Sequence, residues 1–265
     1  MTSDLLCLTV LGCATPYASV DNPCSGYLVS SGETRVWVDA GSGTLAQLQR
    51  HVRLDEVDAI WISHLHADHS ADLLTAYYAA LFADIQLVAP IPLYGPPGIA
   101  DRLAHFLTNS STRSPVESAF AVHELHDGHQ ARVGALTLTS RAVEHGIPAF
   151  AVRIEAEGQS LVYSGDTAPC ANLTQLAHGC DVLLCEAEST QAPAGGGVMA
   201  RLKEGVRPEP TQPPAASALG GWRPRGHRGT ALWEGILAVT LRGIHRNSRG
   251  HHPPAGLRNR ARRRP

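Results

Sequence analysis

Apolar residues along the first part of the chain change period several times. Residues 5–11, 26–30, 35–39 and 58–63 are short runs rich in Val, Leu, Ile and Trp, bounded by Gly, Pro, Asn or charged positions; runs of this kind predict buried strands. Between and after them the spacing becomes helical: Leu45 with Leu48, then Leu73, Leu74, Tyr77, Tyr78 and Leu81, then Leu103, Phe106 and Leu107. Each set predicts a helix with one apolar face. From Phe120 onward strand-like runs return at 132–139, 150–154, 161–164 and 182–185, broken by one short helix at 173–177. That order predicts an α/β protein in which two mixed sheets face each other and helices cover them.

Composition then divides the chain. Its 265 residues, 43% of them hydrophobic, suffice for a sizeable core. Residues 1–190 carry 8 Lys+Arg and 21 Asp+Glu, a net of −13, whereas residues 191–265 carry 14 and 3, a net of +11. We therefore expect a folded domain over 1–190 and a basic tail over 191–265, rich in Gly, Pro and Arg and lacking regular structure. A slip of reading frame near codon 191 of a GC-rich gene produces the same Arg, Gly, Pro and Ala mixture, which the coding DNA would settle. Only residues 230–244 of the tail have the pattern of an amphipathic element. Attachment to nucleic acid through this tail is the functional alternative to a segment with no selected role.

Residues 5–14 are apolar enough to resemble a leader, but the first basic residue is Arg35 and Asp4 has the wrong sign for one. A buried first strand and a cytoplasmic location are the expectation. No run reaches the length of a membrane span, and no membrane attachment is expected. The six cysteines, Cys7, Cys13, Cys24, Cys170, Cys180 and Cys185, form no CxxC pair and read as reduced structural thiols.

Chemistry concentrates where a strand meets a helix. The apolar run 58–63 leads directly into His64-Leu65-His66-Ala67-Asp68-His69, ahead of a helix expected from about Ser70. In extended chain the i, i+2 spacing turns His64 and His66 to one side, where two imidazoles can hold one metal ion. Asp68 and His69 follow at the turn and can reach a second ion. Downstream, His145 lies in Ala142-Val143-Glu144-His145-Gly146, and Asp166 follows an apolar strand in Ser164-Gly165-Asp166-Thr167. His123, His126 and His129, spaced by three around an expected turn, read as surface residues.

HxHxDH, a later His and an Asp after a strand make a pattern that resembles the metallo-β-lactamase superfamily over residues 8 to about 189. Within it, Leu11-Gly12-Cys13, Cys24-Ser25-Gly26-Tyr27-Leu28, Val38-Asp39-Ala40-Gly41 and Leu184-Cys185-Glu186-Ala187 look like the ribonuclease Z and atypical class II cyclic-nucleotide phosphodiesterase branch. The resemblance implies a four-layer αββα sandwich. It also implies that His64, His66 and His145 bind one Zn²⁺, that Asp68 and His69 bind another, and that Asp166 bridges them, with Mn²⁺ or Fe²⁺ as alternative ions. By the same analogy Asp68 and His69 are read as catalytic, Asp39 orients the histidine loop, and a bridging hydroxide attacks the phosphorus.

The family continues after the Glu-Ala strand with a further His that completes the second ion's shell, and this chain lacks the matching segment. His227, His245, His251 and His252 lie in the tail without an apolar strand before them. The implied activity is hydrolysis of cyclic nucleotides or other small phosphodiesters. The 20 residues between His145 and Asp166 leave no room for the substrate-gripping arm of some tRNA 3′-processing enzymes. A ribonuclease Z-like endonuclease acting on RNA, and a catalytically impaired metal-binding relative, are the alternatives; the resemblance also hints at a homodimer.

Overall fold

The strand runs and helix runs pack by the two periodicities that mark them. The computed structural model describes residues 5–83, 85, 87–108, 112–187 and 235–240. In the first sheet β1 (Cys7–Gly12), β2 (Gly26–Ser31) and β3 (Thr34–Ala40) pair antiparallel, and β4 (Ala59–Trp61), β5 (Ile91–Gly95) and β6 (Phe120–Glu124) add in parallel in chain order. Parallel neighbours require crossovers. These carry α1 (Thr44–Leu48), α2 (Ala67–Ser70), α3 (Asp72–Phe82) and α4 (Ile99–Thr108).

The second sheet runs antiparallel through β7 (Gln130–Val133), β8 (Leu136–Ala142), β9 (Phe150–Ala156) and β10 (Gln159–Tyr163). A crossover through α5 (Ala171–Ala177) then sets β11 (Val182–Ala187) parallel to β10, and β12 (Gly235–Thr240) pairs antiparallel with β11. Both sheets are mixed and six-stranded.

Alternation along each strand feeds two layers of core. Val36, Val38, Ala59 and Trp61 face Leu138, Val152, Ile154, Leu161 and Tyr163 between the sheets. Their neighbours Trp37, Ile60 and Ile62 face the other way, onto Leu45, Leu48, Leu73 and Leu103 of the helices. Ala151, Val162 and Leu183 of the second sheet pack on Leu173 and Leu176 of α5. The layer order is therefore helix, sheet, sheet, helix. Trp61 also donates its indole N–H to Ser140 Oγ at 3.1 Å, tying β4 to β8 across the sandwich.

Three details depart from the sequence expectations. The run 132–139 is a hairpin, β7 turning into β8 at Gly134, whose φ of 51° is the left-handed conformation that glycine adopts without steric cost. β5 escapes a periodicity reading because Pro92 sits inside it, and proline is uncommon in central strands. It is accommodated because the Ile91 N–H turns to Ala119 O of the β6 side, so the next nitrogen faces β4, whose pairing begins only at Leu93. Finally, the tail does not lack regular structure throughout: residues 235–240 form β12. Their run Ile236-Leu237-Ala238-Val239 suits a strand, and β11 supplies an edge to pair with. The remainder of 191–265, with its expected disorder or frame slip, lies outside the described residues. Among the described residues no helix is long and apolar enough to cross a membrane.

Trp61 is buried between the sheets, so Trp61→Ala is expected to lower unfolding free energy by about 3–5 kcal/mol. Urea denaturation followed by circular dichroism measures this, and a loss below about 1 kcal/mol would contradict the packing described.

Candidate metal centre

Chain connectivity delivers four segments to one edge of the sandwich. Asp39 stands at the end of β3, His64 to His69 follow β4, His145 follows β8 and Asp166 follows β10. The segments are stitched by backbone. Phe150 N–H donates to Ser63 O at 3.0 Å, and Ala168 N–H donates to Glu144 O at 2.7 Å, which sets the loop of Asp166 against that of His145. Gly165, at φ 57°, passes so close to Ser63 that a Cβ would lie 2.9 Å from the serine Cβ. Any side chain there would push Asp166 off the histidine loop.

Two triads of donors result. The ligand atoms of His64, His66 and His145 all lie within 4.8 Å of one another, and so do those of His64, His69 and Asp166. His145 Nε2 is 3.0 Å from His66 Nδ1. Asp166 faces both groups: its Oδ1 is 3.2 Å from His69 Nε2, and its Oδ2 is 3.8 Å from His64 Nε2 and 4.0 Å from His145 Nε2. Asp68 Oδ2 lies 3.6 Å from His69 Nε2. His64 and His69 are buried, whereas His66 is exposed and His145 and Asp166 are half-buried. The centre has a dry inner wall and an open mouth.

Asp39 organises the inner wall. Its buried carboxylate accepts the Ser63 N–H at 2.7 Å, the Ser63 hydroxyl at 2.8 Å, the Tyr163 hydroxyl at 2.8 Å and the His69 Nδ1–H at 2.7 Å. Because the Ser63 hydroxyl gives its proton to Asp39, it can only accept from His64 Nδ1, 3.0 Å away. Both histidines thereby point Nε2 at the centre. Asp39 itself has a φ of 55°, strained for a residue with a Cβ and tolerated where the surroundings over-determine it.

Charge follows from these partners. Burial, joined by the adjacent His69, lowers the His64 pKa to about 2, so this ring is neutral. Burial also opposes a charge on His69, but Asp39 and Asp166 outweigh it and raise its pKa to about 10. Burial pushes the Tyr163 hydroxyl well above its usual range, aided by the Asp39 charge, so it remains a donor.

Donor chemistry and an orphaned atom together show that a divalent ion fits here. His64 Nε2 is a buried lone pair with no donor facing it, an arrangement that costs about 1–3 kcal/mol unless something fills it, and His69 Nε2 lies among carboxylates, 3.2 Å from Asp166 and 3.6 Å from Asp68. Imidazole and carboxylate donors are those that Zn²⁺, Mn²⁺ and Fe²⁺ take. Of the six residues expected from sequence, His64, His66, His69, His145 and Asp166 make up the two triads, Asp68 lies beside them without joining either, and Asp39 stands behind them.

Ser63 and Tyr163 escaped assignment. Their signals were a polar residue closing an apolar strand beside the histidines and a tyrosine inside a buried strand, whose hydroxyl must find a partner. His123 and His126 are exposed and His129 is half-buried; among the described residues they belong to no metal-sized cluster. His227, His245, His251 and His252 lie outside the described residues.

A two-sheet sandwich with histidines and carboxylates gathered at one edge is an arrangement that a class of metal-dependent proteins uses. Residues 34–205 match the family model described as the β-lactamase superfamily domain, and the chain belongs to the metallo-β-lactamase superfamily, whose members are mostly metal-dependent hydrolases. It is similar to the uncharacterized protein Rv1339 of Mycobacterium tuberculosis, 38% identical over 191 residues that cover 70% of this chain and 69% of that protein. Ribonuclease Z of Mycobacterium tuberculosis is 32% identical over 198 residues, covering 68% of each. The metallo-β-lactamase fold protein YhfI of Bacillus subtilis superposes with a TM-score of 0.57 at 25% identity, over 66% of this chain and 68% of that one.

With its pKa near 10, His69 holds a proton on each ring nitrogen at neutral pH when no metal is bound. Ligation at Nε2 must displace one of them. Uptake at pH 7 of an ion that takes His69 Nε2 is therefore expected to release about one proton from this residue, and the affinity for that ion should rise with pH through the neutral range. Calorimetric titrations in buffers of different ionisation enthalpy count the protons; pH-independent affinity between pH 6 and 8 would refute the assignment.

Proposed function

We propose that the chain is a dinuclear-metal hydrolase of phosphodiesters, acting on cyclic nucleotides or other small phosphodiester substrates. The observation that carries this reading is the pair of buried nitrogens, His64 Nε2 and His69 Nε2, that flank the Asp166 carboxylate at 3.8 and 3.2 Å. In this reading His64, His66 and His145 would hold one Zn²⁺, Asp68 and His69 the other, and Asp166 would serve both; Mn²⁺ or Fe²⁺ suit the same donors. When bound, such ions supply Lewis acidity toward phosphate oxygens and activate water for in-line attack.

The chain's own residues prepare that chemistry. Asp39 holds His69 directly, and His64 through Ser63, with Nε2 of each ring turned inward. Trp61, Tyr163 and Tyr27 keep water from the rear of the centre. His66 and His145, on the open side, leave a substrate free to enter from solvent. No serine, cysteine or threonine nucleophile is required.

Substrate size is argued from the loops. The connection between β8 and β9 spans only residues 143–149, and β9 and β10 occupy most of the chain from there to Asp166, so no gripping arm projects between His145 and Asp166. That favours a small substrate. The similarity to ribonuclease Z supports a second reading, a tRNA 3′ endonuclease.

Metal content by mass spectrometry, with turnover of bis(p-nitrophenyl) phosphate, tests the reading. Close to two ions per chain are expected, and His66→Ala should cut kcat by more than about 100-fold, the upper range for loss of a group that merely supports a ligand. One ion without turnover points to a metal-binding relative that has lost catalysis. Cleavage of a precursor tRNA with no hydrolysis of cyclic AMP selects the endonuclease.

A further inference from the structure

The centre's second half is held differently from its first. His64 and His69 are fixed from behind by Ser63 and Asp39, but the Asp68 carboxylate lies outside that network. Among the described residues it has a single side-chain hydrogen bond, accepted by Oδ2 from the Thr15 hydroxyl at 2.9 Å. Thr15 lies in the loop between β1 and β2, 53 residues away in sequence.

Both ends of this hydrogen bond are anchored. On the Asp68 side the backbone is clamped: its carbonyl accepts the Ser25 N–H at 3.1 Å, and Gly41 packs so tightly on it that a Cβ there would sit 2.0 Å from that oxygen. On the Thr15 side the loop is closed on itself. Asn22 Oδ1 accepts the Cys13 N–H at 3.2 Å, and the Ala14 N–H donates to Pro23 O at 2.9 Å. With the Asp68 backbone fixed, the carboxylate retains only its side-chain torsions, and one hydroxyl on a fixed loop selects among them.

We propose that Thr15 is a positioning residue for the second metal: its hydroxyl sets the Asp68 carboxylate in the orientation that binds the ion. This rests on the two-metal reading above. Asp68 has one oxygen engaged by Thr15 and facing His69 Nε2, whereas a freely rotating carboxylate would also populate orientations that miss the ion. The loop between β1 and β2 thus becomes part of the centre, although the sequence motif that marks the centre begins 49 residues later.

The test is Zn²⁺ binding by full-length protein in competition with a chromophoric chelator, comparing wild type, Thr15→Val, Thr15→Ser, Asp68→Ala and the Thr15→Val/Asp68→Ala double variant. Valine keeps the shape and removes the donor; serine keeps the donor. Thr15→Val is expected to weaken the second ion by about 10- to 100-fold and leave the first unchanged, while Thr15→Ser binds both as wild type does. In the Asp68→Ala background Thr15→Val should add nothing, because Thr15 acts through that carboxylate. Equal second-site affinity in wild type and Thr15→Val overturns the assignment. So does an equal loss in Thr15→Ser and Thr15→Val, or an undiminished effect in the double variant, each of which makes Thr15 a packing residue. Wild type that takes up only one ion removes the two-metal reading itself, and the role of Thr15 with it.

Discussion

A carboxylate with no access to water must be surrounded by donors or it loses its charge. At Asp39 the sandwich supplies four, and the rest of the centre depends on them. Ser63 contributes two of the four and is the residue from which the histidine segment departs, so satisfying Asp39 fixes the point where β4 ends. The Tyr163 hydroxyl crosses from the second sheet, so the same carboxylate registers one sheet against the other. The fourth donor, His69, is one of the metal-facing rings, and His64 is reached through Ser63. The φ of 55° at Asp39 costs about 1–3 kcal/mol, offset by hydrogen bonds to a charged acceptor that each contribute a similar amount.

Burial is graded across the centre, and the grading follows from the strands. His64 leaves β4, whose three residues are all buried, and His69 lies against the base of the first sheet. His66 and His145 sit on loops at the solvent edge. The inner nitrogens therefore bear more of the desolvation cost in the metal-free chain than the outer ones, although burial lowers the His145 pKa as well. An ion reaching the centre relieves that cost, so part of its binding energy appears as stability of the fold.

How much of this was legible in the sequence depends on the range of each interaction. The metal-facing segment His64 to His69 was readable because its donors are contiguous and strand spacing places alternate side chains together. His145 and Asp166 were readable only as members of an ordered pattern, since each taken singly looks like a loop residue. The Asp39 network and Thr15 were not readable as geometry, because their partners lie 24 to 124 residues away and nothing local distinguishes a serine, tyrosine or threonine that finds a carboxylate from one that does not. The two-sheet sandwich followed from periodicity alone. Its failures, the hairpin at Gly134 and the strand containing Pro92, occurred where a single residue's backbone preference contradicts the run around it.

Electrostatics sharpen why the second half of the centre matters. Three carboxylates, Asp39, Asp68 and Asp166, stand within or directly behind the ring of histidines, in a domain that is itself strongly acidic through residue 190. Without an ion the three carboxylates are opposed only by the charge on His69, and a phosphodiester anion approaching the group is repelled. Each divalent ion offsets that negative charge, and the low-dielectric inner wall strengthens its pull on an anion relative to bulk water. In the proposed function, then, occupancy of the half-site built on Asp68 and His69 adds to the attraction for an anionic substrate, quite apart from its part in the chemical step.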